Sequence, residues 1–247
     1  MSERLRLDLA LEARGLLPSR SRARDAIKRG TVRVNGITAT KPHQTVAEND
    51  EVILDDPASG YVSRAALKLI AGLEAGNIDV NGRVCLDVGS STGGFTQVLL
   101  ERGANRVFAV DVGHDQLHQS LCADPRVVSL EGTNARALTR EQVPDAIGLL
   151  ACDISFVSVT KVLTAPLALC RPGADAVILF KPQFEVGREH IGKGGIVTEK
   201  AAMARGVSDA IAFVADHGWT HDRSIASPIA GGDGNMETVM MFTKDPE

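Results

Sequence analysis

The chain has 247 residues, 44% hydrophobic and 23% charged, with a formal net charge of −4 at pH 7. That is the composition of a globular protein with room for one sizeable core or two domains. It argues against a disordered or membrane-spanning chain, since no run reaches about 18 uninterrupted apolar residues. The first residues lack a signal peptide's apolar core, and the cysteines at 85, 122, 152 and 170 show no C-x-x-C spacing. Both features predict a cytoplasmic protein with buried reduced thiols and neither disulfides nor zinc.

The charge is unevenly spread. From Arg14 to Lys41 there are eight cations (Arg14, Arg20, Arg22, Arg24, Lys28, Arg29, Arg33 and Lys41) against one acid, Asp25, a local +7 that leaves −11 for the rest. Such a block on an acidic chain suits a polyanion better than it suits solubility. Around it, residues 4–14 predict a helix closed by Gly15, and Ser19 is placed to cap a second helix ending at Gly30. Thr31–Val34 reads as a strand, Asn35-Gly36 as a hairpin turn and Glu51–Leu54 as a later strand. Residues 1–55 are therefore expected to form one small α+β domain, and the polar stretch 56–62 a linker.

From residue 63 to the end, strands alternate with helices, as expected for a doubly wound α/β sheet. Ser63 is placed to cap a helix from Arg64 through Lys68 to about Leu73. Strands are expected near 84–88, 106–110, 127–130, 147–152, 175–180, 219–226 and 237–243. The main helices are expected at 94–102, 158–169 and 198–216. Seven strands, with the last two close together, suit a methyltransferase sheet better than a dehydrogenase one.

Val84–Phe95 organises this half as strand, tight turn and helix. Gly89, Ser91, Gly93 and Gly94 leave backbone open to a ligand, with Phe95 opening the helix. The second strand ends in Asp111, where nucleotide-binding folds keep a carboxylate for ribose hydroxyls; a helix cap is the plainer role. The loop is not G-x-G-x-x-G, so by itself it fits NAD, S-adenosylmethionine (SAM) or a simple turn. It also spells the hydrolase elbow Gly89-x-Ser91-x-Gly93, but it follows the first buried strand, with no oxyanion loop upstream.

Charged residues flank the later strands: Asp153 after Ile147–Cys152, Lys181 after Val177–Phe180, and Glu237 before Thr238–Met241. Charges beside buried strands are costly unless paired or used, and two lysines (with Lys68) and two acids compensate one another. His114 and His118 have a helical spacing but nothing nearby to complete a metal site. Cys152 is expected to point into the sheet, away from Asp153, which argues against a cysteine nucleophile. The glycine-rich stretch 181–197 is expected to be a mobile loop over the site.

Two resemblances join these readings. Leu7-Asp8, Gly15-Leu16, Ser19-Arg20, Ala23, Ile27, Gly30, Val32, Val34 and Asn35-Gly36 resemble the S-four RNA-binding module. Lys68, Asp153, Lys181 and Glu237 match in order and context the Lys-Asp-Lys-Glu tetrad of RNA 2′-O-methyltransferases of the FtsJ/RrmJ type. With Tyr61-Val-Ser-Arg64, Asp87–Thr96, Thr133–Arg136, Asp153–Phe156 and Lys181–Gly187, the whole chain resembles the TlyA family, often labelled haemolysins.

That resemblance implies a SAM-dependent enzyme acting on a ribose in ribosomal RNA, free or in a ribosomal subunit, with no metal and no membrane. Lys181 is then the base or oxygen-activating group, Lys68 holds the acceptor, and Asp153 and Glu237 orient the amines. SAM would lie against Gly89–Gly94, with Asp87 on its amino group, Asp111 on its ribose, Asn134 near its adenine and Asp153 at its methionine end. Arg64 joins the basic residues as an RNA contact. The competing functions are an inactive RNA-binding protein, separable by testing SAM binding, and a membrane-lytic protein, separable by liposome leakage.

Overall fold

The structure, a computed structural model, describes residues 4–246 and divides into two compact units, 1–60 and 61–247. The first begins with β1 (Arg4–Arg6) rather than with helix. Its backbone pairs with β4 (Thr45–Ala47), so the helix expected from Arg4 starts only at α1 (Leu7–Ala13). In α2 (Arg20–Lys28), Ser19 accepts the Arg22 amide at 3.3 Å, the predicted cap. β2 (Val32–Val34), β3 (Ile37–Thr38) and β5 (Val52–Leu54) form a three-stranded sheet. The β2–β3 turn places Asn35 at φ 49° and Gly36 at φ 78°, the left-handed pair that a two-residue hairpin requires. Leu7, Leu11, Ala23, Ile27, Val32 and Val46 close the core.

The segment expected as a loose linker is partly packed. Asp56 is buried and takes both terminal nitrogens of Arg29, at 2.8 and 2.6 Å, and the Ala58 carbonyl accepts from Arg22 at 2.7 Å. Those partners hold 56–58 on the first unit.

The second unit runs α3 (Ala66–Gly76), β6 (Val84–Val88), α4 (Gly94–Glu101), β7 (Arg106–Val110), α5 (Gln119–Cys122), β8 (Val127–Leu130), β9 (Ile147–Cys152), α6 (Thr164–Ala168), β10 (Cys170–Phe180), α7 (Pro182–Glu185), α8 (Lys200–Ala215), β11 (Trp219–Ala226) and β12 (Thr238–Lys244). The sheet order is β11-β12-β10-β9-β6-β7-β8, and β12 runs antiparallel to both neighbours. Side chains alternate between two buried layers. Leu86, Val88, Leu150, Cys152, Ile178 and Phe180 face one, and Cys85, Leu149, Ala151, Val177 and Leu179 the other. The order reverses beside β6, where β7 and β9 flank it, and ligands of such sheets bind at that point.

Several expected elements differ: α3 starts at Ala66 with Ala65, not Ser63, at its N-cap, and β10 starts at Cys170 and not near 175. The helix over 158–169 is a 3₁₀ turn at Val159–Lys161 followed by α6, because Pro166 has no N–H to continue the ladder back to Val162. His114 and His118 do not share a helix: Asp115 has φ 53°, and His118 instead caps α5 by accepting from the Ser120 amide. Among the described residues no group of His, Cys, Asp or Glu could hold a metal ion, and no helix is long and apolar enough to cross a membrane.

Candidate active site

Three adjacent strands bring their charged residues into one row. Ile178 on β10 is level with Cys152 on β9, and Phe180 with Thr238 on β12, so Asp153, Lys181 and Glu237 stand just beyond paired positions. Reversal of β12 lets an acid that precedes its strand join residues that follow theirs. Lys68 reaches the row from α3. One turn further along that helix, a Cβ on Gly72 would lie 2.6 Å from Val177 and 2.9 Å from Val239, so only glycine lets α3 settle this closely on the sheet.

Lys68 Nζ donates to Glu237 Oε2 at 2.6 Å and lies 3.9 Å from Asp153 Oδ2. Lys181 Nζ is 2.6 Å from Asp153 Oδ1, close but poorly directed, and sends its well-formed hydrogen bond to Ser155 Oγ at 2.8 Å. Lys68, Lys181 and Glu237 are 6%, 7% and 3% exposed. Two amines and two carboxyl groups therefore share one largely buried site in which opposite charges can compensate, the condition under which buried charges persist.

A cavity of about 520 Å³ adjoins this row, within the ~300–1,000 Å³ typical of small-ligand sites. Gly89, Ser91, Asp111, Asn134, Asp153 and Phe156 are among its walls. Gly89 has φ 85°, and a Cβ there would sit 2.8 Å from the Asp153 carbonyl oxygen, so the loop can pass this close only as glycine. Asp111 does not cap a helix. Its Oδ2 accepts from the Ser91 amide and its Oδ1 from the Gly113 amide, both at 2.8 Å, tying the ends of β6 and β7 together. Two of its roughly four acceptor positions remain for a ligand's hydroxyls. Asn134 spends its oxygen on the Arg136 amide.

Comparison with known proteins assigns the architecture. An FtsJ-like methyltransferase model matches residues 61–244 and an S4 domain model residues 5–52. The chain is 45% identical to the 16S/23S rRNA (cytidine-2′-O)-methyltransferase TlyA of Mycobacterium tuberculosis, over 96% of this chain and 89% of that one. The chain belongs to the TlyA family of FtsJ-like methyltransferases. A relative from Brachyspira hyodysenteriae, named Hemolysin A, is 38% identical over 96% of this chain and 99% of its own length. A solved structure of a candidate hemolysin from Streptococcus thermophilus superposes with a TM-score of 0.77 at 35% identity, covering 100% of this chain and 91% of that one.

Not every residue predicted for the cofactor reaches the cavity of this TlyA-family chain. The walls omit Asp87, Gly93, Gly94 and Phe95. Gly93 makes room for Leu117 and Leu121, Gly94 lies against Ser63 and Ala66, and Phe95 is buried in the layer beneath α4. Asp87 is fully buried: its Oδ2 accepts from Thr96 Oγ1 at 2.6 Å, and its Oδ1 has no partner among the described residues.

Burial pushes the Asp87 carboxyl up to about 7; the Thr96 bond opposes this, and the Asp153 charge adds to it. The native state therefore holds a proton that the unfolded chain, near 3.8, releases. Its contribution lowers stability as pH rises from about 4 to about 7. Asp87→Asn is expected to flatten that fall in ligand-free melting temperatures; an unchanged slope would remove Asp87 as its source.

Several site residues lie in stretches that carry the family resemblance but had no role of their own in the sequence. Ser155 holds Lys181, and Glu185 accepts from Ser158 Oγ at 2.6 Å and the Val159 amide at 2.9 Å, bracing the segment after Asp153. Asn235 is buried, accepting from the Val197 amide and donating to the Gly195 carbonyl, each at 2.9 Å; it pins the glycine-rich stretch expected to be mobile. Phe156 is 91% exposed with φ 69°, its ring centroid 5.4 Å from that of Phe184. A large apolar side chain held in water by a strained backbone points to a binding role. Cys152 is buried with its thiol pushed up to about 12 by burial, which makes it an inert packing group. The hydrolase alternative finds no base, since no histidine lines the cavity beside Ser91.

The basic residues of the first unit separate into three groups. Arg29 is bound to Asp25 and Asp56, and Arg14 to the carbonyls of Ala47, Glu48 and Asp50. These are structural contacts. Lys28, Lys41 and Arg33 are exposed, Arg33 only 3.4 Å from Asp55, while Arg20 and Arg24 converge on Asp8.

Proposed function

We propose that this protein transfers a methyl group from SAM to a ribose 2′-hydroxyl, that of a cytidine, in ribosomal RNA. The convergence of Lys68, Asp153, Lys181 and Glu237 beside a cavity of cofactor size carries this reading. The M. tuberculosis relative, a 16S/23S rRNA (cytidine-2′-O)-methyltransferase, supports the choice of acceptor.

SAM supplies an activated methyl on sulfur. Asp111, with its unfilled acceptor positions, suits the hydroxyls of the cofactor's ribose, and Gly89 keeps the wall free of side chains. Bound SAM would give its methyl to the acceptor oxygen with S-adenosylhomocysteine leaving, and the hydroxyl proton would have to pass to this chain. Lys181 is the group placed to take that proton; Asp153 and Ser155 fix where its nitrogen stands. Lys68, held by Glu237, donates to the acceptor oxygen and aligns it. The exposed face of Phe156 offers the nucleobase a stacking surface.

The test is to treat unmodified 16S and 23S ribosomal RNA with protein and SAM, then map reverse-transcription stops at low dNTP. A SAM-dependent stop at a discrete cytidine supports the reading. Methylation of a base, or no modification of either RNA or their subunits, would overturn it. Phe156→Ala should lower kcat/KM for RNA by about tenfold with a smaller change in SAM affinity, a base–aromatic stack being worth roughly 1–3 kcal/mol. An equal loss in both would place the ring against the cofactor instead.

A further inference from the structure

We propose that Asp8 is a positioning residue that assembles Arg6, Arg20 and Arg24 into a preformed docking site for an RNA phosphate. This rests on the reading that the S4 unit docks RNA. The three arginines come from two elements, β1 (Arg6) and two successive turns of α2 (Arg20, Arg24), and meet on one side chain in the first turn of α1. Arg6 binds Asp8 with a two-pronged contact, Nε to Oδ1 and Nη2 to Oδ2, both at 3.0 Å. Arg20 and Arg24 each donate Nε to Oδ2, at 2.9 and 3.1 Å.

The carboxylate is completely buried, while the three arginine side chains are 39%, 41% and 50% exposed. Burial alone would raise the Asp8 pKa; hydrogen bonds and charges from Arg6 and Arg20 more than offset it and keep the carboxyl well below the usual carboxylate range. Among the described residues, the terminal nitrogens of Arg20 and Arg24 have no partner.

The charge ratio separates this cluster from an ordinary structural ion pair. Elsewhere in the same unit Arg29 engages two acids, Asp25 and Asp56, and the group is charge-compensated. Around Asp8 there are three cations for one anion, more than are needed to satisfy a buried carboxylate. Arg20 and Arg24, one helical turn apart, repel each other and would splay without the anion between them. Holding them by Nε leaves the outer edges of their guanidinium forks turned to solvent, where they can take phosphate oxygens with little ordering cost. A polyanion would thus complete what the fold leaves uncompensated.

The sign of one substitution tests the idea. Asp8→Asn removes a negative charge from beneath three arginines, so a site acting through net charge alone would bind RNA more tightly. The clamp predicts the reverse: affinity of the full chain for purified 16S or 23S ribosomal RNA should fall about fivefold at fixed salt, as pre-organisation is lost. Circular dichroism and melting curves establish whether the variant folds.

Arg20→Lys keeps the charge at an exposed position but loses the Nε anchor and the fork, so it does not depend on Asp8→Asn folding. It should weaken binding about as much as Arg20→Ala. The double variant Arg20→Ala, Arg24→Ala should reduce the salt slope by about one per arginine. If that double variant binds like wild type, the RNA-docking reading itself fails at this surface. If it weakens binding while Arg20→Lys, or a folded Asp8→Asn, binds as well as wild type or better, the positioning role alone is overturned.

Discussion

Lys181→Ala should abolish methyl transfer, by at least about a thousandfold in single-turnover rate, while SAM binding measured by calorimetry stays within about threefold. The two expectations separate because Lys181 stands over Asp153 and Ser155 and is not a wall of the cofactor cavity. A rate effect without a binding effect is the mark of a group acting on the acceptor. Lys181→Arg should fail as completely, since a guanidinium retains its proton and cannot serve as a base. Retention of more than a tenth of the rate in either variant would assign the proton to another acceptor. A parallel collapse of SAM affinity would make Lys181 a cofactor ligand.

Glu237→Ala should have the largest effect on stability. It leaves Lys68 buried without its 2.6 Å partner, the remaining anion being Asp153 at 3.9 Å. Stranding one member of a buried pair costs about 3–5 kcal/mol, and the residual attraction of Asp153 argues for the low end, about 3 kcal/mol. In a chain of this size that corresponds to a melting temperature lower by roughly 6–12 °C. Replacing both members, Lys68→Met with Glu237→Leu, should recover most of the stability and none of the activity, because the desolvation cost disappears with the charges. A single variant that melts like wild type would mean that the pair is open to water.

Which parts of this molecule its sequence reveals follows from what each residue must satisfy. β6 and β9 are legible because strands covered on both faces need mostly apolar runs, and Val84–Val88, interrupted only by Asp87, and Ile147–Cys152 are such runs. The convergence of Lys68, Asp153, Lys181 and Glu237 is legible because charge beside buried strands is rare enough to stand out. β1 was hidden, since a three-residue strand is defined by its partner some forty positions away, and Leu5 and Leu7 fit a helix equally well. The early start of β10 was masked by Pro172 and Gly173, beyond which the register shifts before Asp175. Ser155, Glu185 and Asn235 are polar residues in irregular segments, where no periodicity marks a side chain that turns inward. At Gly93 and Gly94 the lack of a side chain has a packing reason that spacing does not reveal, the close approach of Leu121 and Ser63.

The row of Asp153, Lys181 and Glu237 fixes the gauge of the site. Phe180 faces Thr238, so Lys181 and Glu237 stand opposite each other across one interstrand spacing, about 4.8 Å, while Asp153 follows the Cys152–Ile178 pair and lies level with Leu179. That interval is a constant of backbone ladders and is insensitive to the length or sequence of the surrounding loops. Warming the enzyme can therefore loosen the glycine-rich rim or the segment bearing Phe156 long before it alters the distance between amine and acid. Activity lost reversibly below the melting transition should then appear as weaker capture of RNA or cofactor, with the chemical step itself intact until the sheet comes apart.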